Sequence, residues 1–474
     1  MYDAIVVGAG VNGAAAAWLL TRAGLRVAVV EANALPGGLA GGRVSRLSEG
    51  GRYAYALGLV PGEVWRLLGV DEGSLYTPDP SWVELGPDGE PVLRWWSSPA
   101  RLRRELAEAG LEGVWRLLAD AAGFVRCLAE AGMYYTPCPP SRGEAAEGLP
   151  RGCPALAGEP TRRILARYAP RRAWSLLIYP SMLDSDGFAL AYYLQNMNIW
   201  SQPPGGSMMW LSRLLRRLLR GAALVHGRVE EVLAEHGRAV GVALRDGRRI
   251  RGRAVLYAAS VPALPRLVGS LDAFPEHDLR LLEGLARRRT RVERVDYYLS
   301  RAPAPPREAG WRGWPIYVYW RRGGGGEYTY PGLIGGPGGS GLYLVQASGS
   351  PRGVAPPGAD PDRVVAVEER GPESQDRCCS NPTGHPDHVP MVDPFLYDDR
   401  PLPGWGGYAT PLPGLYHGSA SSYPGGEVNM VAGLNAATRL LLDLGHPEPW
   451  RLLGPLSRLA RRGVERCRAA RWSR

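Results

Sequence analysis

A chain of 474 residues, 45% of them hydrophobic, is long enough for two or three domains with a sizeable core, and its ordinary apolar content argues against disorder and against a multi-span membrane protein. All 56 basic residues are arginine, which excludes a Walker A phosphate loop and any lysine Schiff base, and which reflects genome composition more readily than thermal adaptation. The net charge of +10 is concentrated in residues 451–474, where eight arginines face only Glu465, so the body is near neutral and no nucleic-acid-binding surface is expected.

In chain order, Tyr2 to Val7 reads as a short buried strand, Asn12 to Ala23 as a small-residue helix, and Leu25 to Glu31 as a second strand rich in β-branched residues. The eighteen residues after Asp3 carry no charge, but glycines and Asn12 interrupt them and no basic segment precedes them. They read as a βα unit rather than a signal peptide or membrane span, and the chain is expected to be cytoplasmic. A glycine-rich loop, Pro36 to Gly42, follows. Residues 100–135 and 160–200 read as mostly helical. Ser207 is a candidate N-cap for a helix whose Leu211, Leu214, Leu215, Leu218 and Leu219 share one face. Its place between a Pro-Gly-Gly turn and a strand favours packing on a core over lying on a membrane. A β-meander with turns at His236-Gly237 and Asp246-Gly247 leads into a buried strand, Ala254 to Ala259. Antiparallel strands are expected at Val292–Leu299, Pro315–Trp320 and Leu342–Ala347, and strand-then-helix returns from Pro411 to Leu444. The six cysteines (127, 138, 153, 378, 379 and 467) form no CxxC pair, so neither a disulfide framework nor a cysteine-rich zinc site is expected, and the adjacent Cys378 and Cys379 read as inert.

The motif that carries chemistry is Gly8-Ala-Gly10-Val11-Asn12-Gly13, between the first strand and the first helix. The first glycine allows the tight turn, the second lets a pyrophosphate approach the backbone, and the third lets helix and strand pack closely. The phosphates then sit at a helix N-terminus, where free N–H groups and the dipole favour anions. Glu31, with Ala32 beside it at the end of the second strand, is placed to accept hydrogen bonds from an unphosphorylated adenosine ribose. Gly336 to Gly341 matches the same pattern but follows a loop and precedes a strand, so one dinucleotide site is expected and no separate pyridine-nucleotide domain.

The segment Gly8 to Glu31 with the doublet Gly37-Gly38 resembles the flavin fingerprint of the amine-oxidase and carotenoid-desaturase superfamily, in which such a doublet covers the pyrophosphate. Pro411 to Ala437 resembles the C-terminal flavin motif of its phytoene-desaturase-like branch, with Gly418, Ser419, Gly426, Val428 and Asn429 at the matching positions. There a Pro-Gly-Gly turn opens a helix aimed at the flavin edge that collects negative charge. Gly384 to His388 and Pro403 to Trp405 are similar to the same branch, Val229 stands where the backbone faces adenine, and Tyr55 to Gly58 resembles the short strand behind the isoalloxazine. The chain departs from the pattern at Leu39, where an arginine often follows the doublet, so that Arg43 is the candidate replacement. It also lacks the lysine that amine oxidases place near the flavin, which counts against amine oxidation, and it carries Glu427 at the start of the flavin-directed helix.

The resemblance implies an α/β fold: an FAD-binding Rossmann-like domain (1–75, 203–275 and 396–446) interwoven with an α+β substrate domain (76–202 and 276–395), and then a basic tail, 447–474. It implies an FAD-dependent oxidoreductase that dehydrogenates or isomerises a lipophilic, isoprenoid or polyene, substrate by hydride transfer to flavin. The alternatives are an FAD-dependent amine or amino-acid oxidase and, in another class, a non-enzymatic Rab-escort or GDI-like lipid carrier. No catalytic residue is assigned, because in this superfamily the protein chiefly supplies binding, orientation and a dry pocket. His385 and His388 form an HxxH without a third ligand, so no metal is expected, and His417 reads as strand-end packing rather than a proton carrier. The tail arginines, interleaved with Leu452, Leu453, Leu456, Leu459, Val464 and Trp472, raise the expectation of peripheral attachment to an anionic membrane surface.

Overall fold

The computed structural model describes residues 1–41, 53, 54, 56–86, 90–196, 200–204, 208–269, 272–288, 294–301, 316–321, 324–334, 341–348 and 360–472. Arg43, Tyr55, Val292, Ser207, Pro315 and most of the Gly336–Gly341 motif lie outside the described residues.

A five-stranded parallel sheet runs in the order Leu415–His417, Val255–Tyr257, Ala4–Val7, Val27–Glu31, Ala223–His226. The two central strands are buried on both faces, which is why they read as continuous apolar runs. Their side chains alternate between two layers. Ala4, Val6, Val27 and Val29 pack against the helices, whereas Ile5, Val7, Ala28 and Val30 pack against the meander. On the helical side, Val11–Arg22 crosses Val431–Asp443 so closely that a Cβ on Gly433 would stand 2.0 Å from the Asn12 carbonyl oxygen. Leu211, Leu214, Leu215, Leu218 and Leu219 bury the face expected of the helix Met209–Leu218 and its last turn. The opposite layer is the antiparallel meander Val229–Glu235, Arg238–Leu244 and Arg249–Arg251. His236 and Gly237 both take positive φ at its first turn (49° and 70°), the conformation that matches a two-residue hairpin to the strand twist.

A second, seven-stranded sheet has the order Val364–Arg370, Arg294–Leu299, Leu342–Ser348, Gly324–Ile334, Ile316–Arg321, Trp82–Leu85, Pro91–Trp95. All its pairings are antiparallel except Ile316–Arg321 with Trp82–Leu85. The hairpin Trp82–Trp95, to which the sequence reading assigns no element, reaches this sheet only through pairing with a strand more than two hundred residues away. Helices Pro99–Glu108, Glu112–Glu130, Thr161–Tyr168 and Gly187–Leu194 complete this half.

One sequence expectation is corrected. The cysteines are paired: Cys127 with Cys153, Cys138 with Cys467, and Cys378 with Cys379. Two of the pairs join positions 26 and 329 residues apart that only the tertiary fold brings together, so spacing could not reveal them. The tail is docked on the body. The helix Ser457–Trp472 turns Ala460, Val464 and Cys467 inward, and Arg458 and Arg462 pair with Glu130. Gly463 is what lets it approach, since a Cβ there would stand 2.2 Å from the Tyr135 carbonyl oxygen. Leu453 and Leu456 are buried as well, and Leu452 and Leu459 pack on the core. Among the described residues, no helix is long and apolar enough to cross a membrane.

Candidate active site and cofactor cavity

Gly8 takes φ +98° directly after the first strand, and Gly10 caps the first helix in an extended conformation with no side chain on its free N–H groups. A Cβ on Gly13 would lie 2.0 Å from the Gly8 carbonyl oxygen, so this position accepts only glycine for packing reasons. A Cβ on Gly10 would meet nothing nearer than the Gly38 Cα at 3.8 Å, leaving open the space above the helix N-terminus. The glycine doublet closes over that space: Gly37 donates to the Ala9 carbonyl oxygen at 2.8 Å, and Gly37 bridges Gly10. Glu31 fastens the arrangement, with one carboxylate oxygen accepting from the Ala9 N–H at 2.8 Å and the other from the Asn33 backbone and side chain, both at 2.7 Å. An N-terminus with free donors, an unfilled approach and a buried acid at the second strand end fits the pyrophosphate and ribose of a dinucleotide.

This cradle is one end of a cavity of about 800 Å³. Gly8, Gly10, Val11, Asn12, Glu31, Ala32, Gly37, Gly38, Leu39, Gly58, Val229 and Val428 all line it. Gly13, Gly418, Ser419, Gly426 and Asn429 are not among its lining residues, and the structure gives them packing work. Gly418 lets the strand approach the helix Val431–Asp443, since a Cβ there would sit 2.6 Å from the Ala436 Cβ. Ser419 bonds within its own turn to Ser421 and Ser422. Asn429 accepts from the Val431 N–H at 2.8 Å and donates to the Leu59 carbonyl oxygen at 3.2 Å. Gly426 lies against Asp387, whose Oδ1 would be 2.0 Å from a Cβ there. Residues 56–58 form no strand, contrary to the expectation for this segment; Leu57 bonds to the Ser201 carbonyl oxygen at 2.8 Å, and the Trp200 ring covers Gly58.

The far end of the cavity joins the parallel sheet to the second sheet. Trp82 and Trp200, with ring centroids 6.2 Å apart, stand beside Glu84, which accepts from the Trp82 indole N–H at 2.7 Å. Asp387 is fully buried on the wall; Tyr193 donates to its Oδ2, and its Oδ1 has no hydrogen-bond partner. Burial, then the neighbouring Asp387 and Glu427, push the Tyr193 hydroxyl well above its usual range, so it remains a donor. His385 and His388 also line the wall. Burial lowers both, His388 to about 3, so they are neutral at physiological pH. His417 lies away from the cavity, held between Ser422 (2.7 Å) and the Trp405 carbonyl oxygen (2.8 Å), and burial lowers it to about 4, the profile of a packing residue.

The wall is organised by a residue with no sequence signature. Arg400 is fully buried and donates to the carbonyl oxygens of Asp387, Val389, Pro390, Phe395, Ala420 and Ser422. It thereby joins the segment carrying Asp387 to the turn after the strand Leu415–His417.

Residues 3–425 match the family described as FAD dependent oxidoreductase (DAO), which is most of the chain. The protein belongs to that family, and its cofactor is FAD. Solved structures similar to the oxidoreductase include cyclohexylamine oxidase from Brevibacterium oxydans (18% identity, TM-score 0.54, 94% of this chain and 99% of that one). A variant of putrescine oxidase is also similar (17%, TM-score 0.57, 94% and 98%), as is an oxidoreductase from Methanosarcina mazei (14%, TM-score 0.56, 93% and 100%). At such identities the likeness is one of fold. Among curated sequences, an uncharacterized protein of Mycobacterium tuberculosis is 39% identical over 107 residues, 19% of each chain. An L-glutamate oxidase precursor of Streptomyces viridosporus is 37% identical over 110 residues, 20% of this chain and 16% of that one. The oxidoreductase thus spans about a fifth of the length of the curated relatives it matches.

Proposed function

We propose that the oxidoreductase oxidises a small amine-bearing substrate at the carbon next to nitrogen. The observation that carries this reading is Asp387, a fully buried carboxylate on the cavity wall with one oxygen held by Tyr193 and the other lacking a partner. A buried acid with an unpaired acceptor is costly unless a donor reaches it, and an ammonium group is a matching donor. Glu84, Glu427 and the Trp82 and Trp200 rings add negative charge and aromatic faces to the same cavity, which suits a cation. Cavities of roughly 300–1,000 Å³ hold a single drug-sized ligand, so one of about 800 Å³ that also takes a dinucleotide favours a small substrate. Bound with its ADP half in the Gly10–Glu31 cradle, FAD supplies the two-electron acceptor. The chain's own residues orient the amine through Asp387, keep His385 and His388 uncharged, and exclude water. With no lysine in the chain, proton handling at the substrate nitrogen falls to Asp387.

A second reading, dehydrogenation or isomerisation of an isoprenoid or polyene, has the resemblance of residues 411–437 and the apolar wall at Leu176, Leu177, Ile178 and Met182 in its favour. For such a substrate, the exposed arginines Arg451, Arg458 and Arg461 would supply electrostatic attachment to an anionic membrane. Two fully buried acids, Glu84 and Asp387, weigh against a hydrocarbon in this cavity. Anaerobic mixing of the FAD-loaded protein with a panel of primary amines and amino acids, and with a polyene in detergent, separates the two. An amine should bleach the flavin absorbance, and Asp387→Asn should slow that step by about a hundredfold or more. Bleaching by the polyene alone would overturn the amine reading.

A further inference from the structure

We propose that Cys378 and Cys379 form a thiol–disulfide exchange site that controls how tightly the adenosine end of the cavity holds FAD. The proposal rests on the placement of the FAD cradle at Gly10 and Glu31, and not on the identity of the substrate.

The two cysteines are bonded to each other and both line the cavity, beside Asn33, Arg228 and Val229. They are the last two residues of the helix Pro372–Cys379, and Ser380 after them turns left-handed at φ 51°. Several contacts tie this helix end to the nucleotide-binding sheet. The Asn33 side chain donates to the Cys378 carbonyl oxygen at 3.0 Å while also donating to Glu31 at 2.7 Å. Arg228, the neighbour of Val229, donates to the Arg377 carbonyl oxygen at 2.5 Å, and Arg266 pairs with Asp376 at 2.8 Å. The carbonyl of a disulfide-bonded cysteine therefore sets Asn33, and Asn33 helps to set the acid that would receive the ribose.

A bond between adjacent residues closes a small ring around one peptide unit, so it constrains the backbone locally. The other two disulfides tie distant segments, and their cysteines are absent from the cavity wall. Cys378 and Cys379 are partly exposed, within reach of a small dithiol. A thiolate of that dithiol attacks one sulfur of the pair, breaking the S–S bond and forming a mixed disulfide, while the departing sulfur is protonated. The second thiol of the reductant then displaces the remaining cysteine. Cys378 and Cys379 leave as two thiols, having gained two electrons and two protons, and the dithiol leaves as its own disulfide. With the ring open, the last helical turn relaxes and the Cys378 carbonyl no longer fixes Asn33.

The test uses the full-length protein with and without dithiothreitol. In unreduced, denatured protein the peptide carrying Cys378 and Cys379 should resist iodoacetamide, and after reduction it should take up two labels. Reduction should weaken FAD binding, measured by flavin fluorescence, by about tenfold, the weight of one well-placed hydrogen bond. The Cys378→Ser/Cys379→Ser double variant should bind FAD as the reduced protein does and ignore dithiothreitol. The Cys127→Ser/Cys153→Ser variant should keep the response. Labelling of both cysteines without reduction, or FAD affinity indifferent to dithiothreitol, would overturn the proposal. A redox-insensitive wild type whose Gly10→Val variant loses FAD overturns only this proposal; retention of FAD by Gly10→Val overturns the placement of the cradle, and this proposal with it.

Discussion

Gly10 and Gly13 belong to one motif yet answer to different constraints. The space a Gly10 side chain would enter is empty of protein, whereas a Gly13 side chain would collide with backbone. Gly10→Val is therefore expected to fold with an unchanged thermal transition in the absence of flavin and to lose FAD, because the side chain takes the place of the pyrophosphate. Gly13→Val should lower the transition itself, since neither the Gly8 carbonyl nor the helix axis can yield 1 Å without disturbing the first strand. Differential scanning calorimetry of FAD-free protein, beside flavin titration, checks the contrast, and equal melting of the two variants would refute it. Both glycines were legible from the sequence because the motif's spacing encodes a turn. Arg400 and the unpaired oxygen of Asp387 were not, because their roles depend on carbonyls and a tyrosine that approach from remote segments.

At the level of elements, the helix Ser457–Trp472 shows how tertiary contact can override local reading. Its arginines and glycine describe a solvated terminus, but its buried side chains, its ion pairs to Glu130 and the Cys138–Cys467 bond hold it to the body. The bond closes a loop across 329 residues of sequence, so it removes much freedom from the unfolded chain. Cys467→Ser should cost roughly 2–4 kcal/mol and lower the melting temperature by several degrees under oxidising conditions, with no loss under reducing ones. Calorimetry in the two conditions tests this, and an unchanged transition in both would show that the bond does not contribute. The hairpin Trp82–Trp95 escaped the sequence reading for a related reason. Its period-two pattern is short, and its stabilising partner is the strand Ile316–Arg321.

For the molecule as a whole, the two sheets meet at a long cavity, with the nucleotide cradle on the parallel sheet and the Trp82–Leu85 strand on the second sheet. The sequence carries one glycine motif in strand–turn–helix context, so electrons are expected to enter from a substrate in this cavity and not from a second nucleotide domain. NADH or NADPH alone should leave the flavin absorbance of the FAD-loaded protein unbleached over minutes under anaerobic conditions. Rapid bleaching by either would reveal a nicotinamide site.

The sequence by itself determined the βαβ cradle, its acid Glu31 and the meander over the sheet, and hence a dinucleotide site, because each of these is encoded by local periodicity and turn chemistry within a few tens of residues; the resemblance of its glycine motifs to a flavoprotein superfamily pointed to FAD. The tertiary structure alone decided the far wall of the cavity, the disulfide pairing and the docking of the last helix. Those features join residues hundreds of positions apart, and no local pattern records which buried carboxylate will meet which tyrosine once both sheets have closed on the same space.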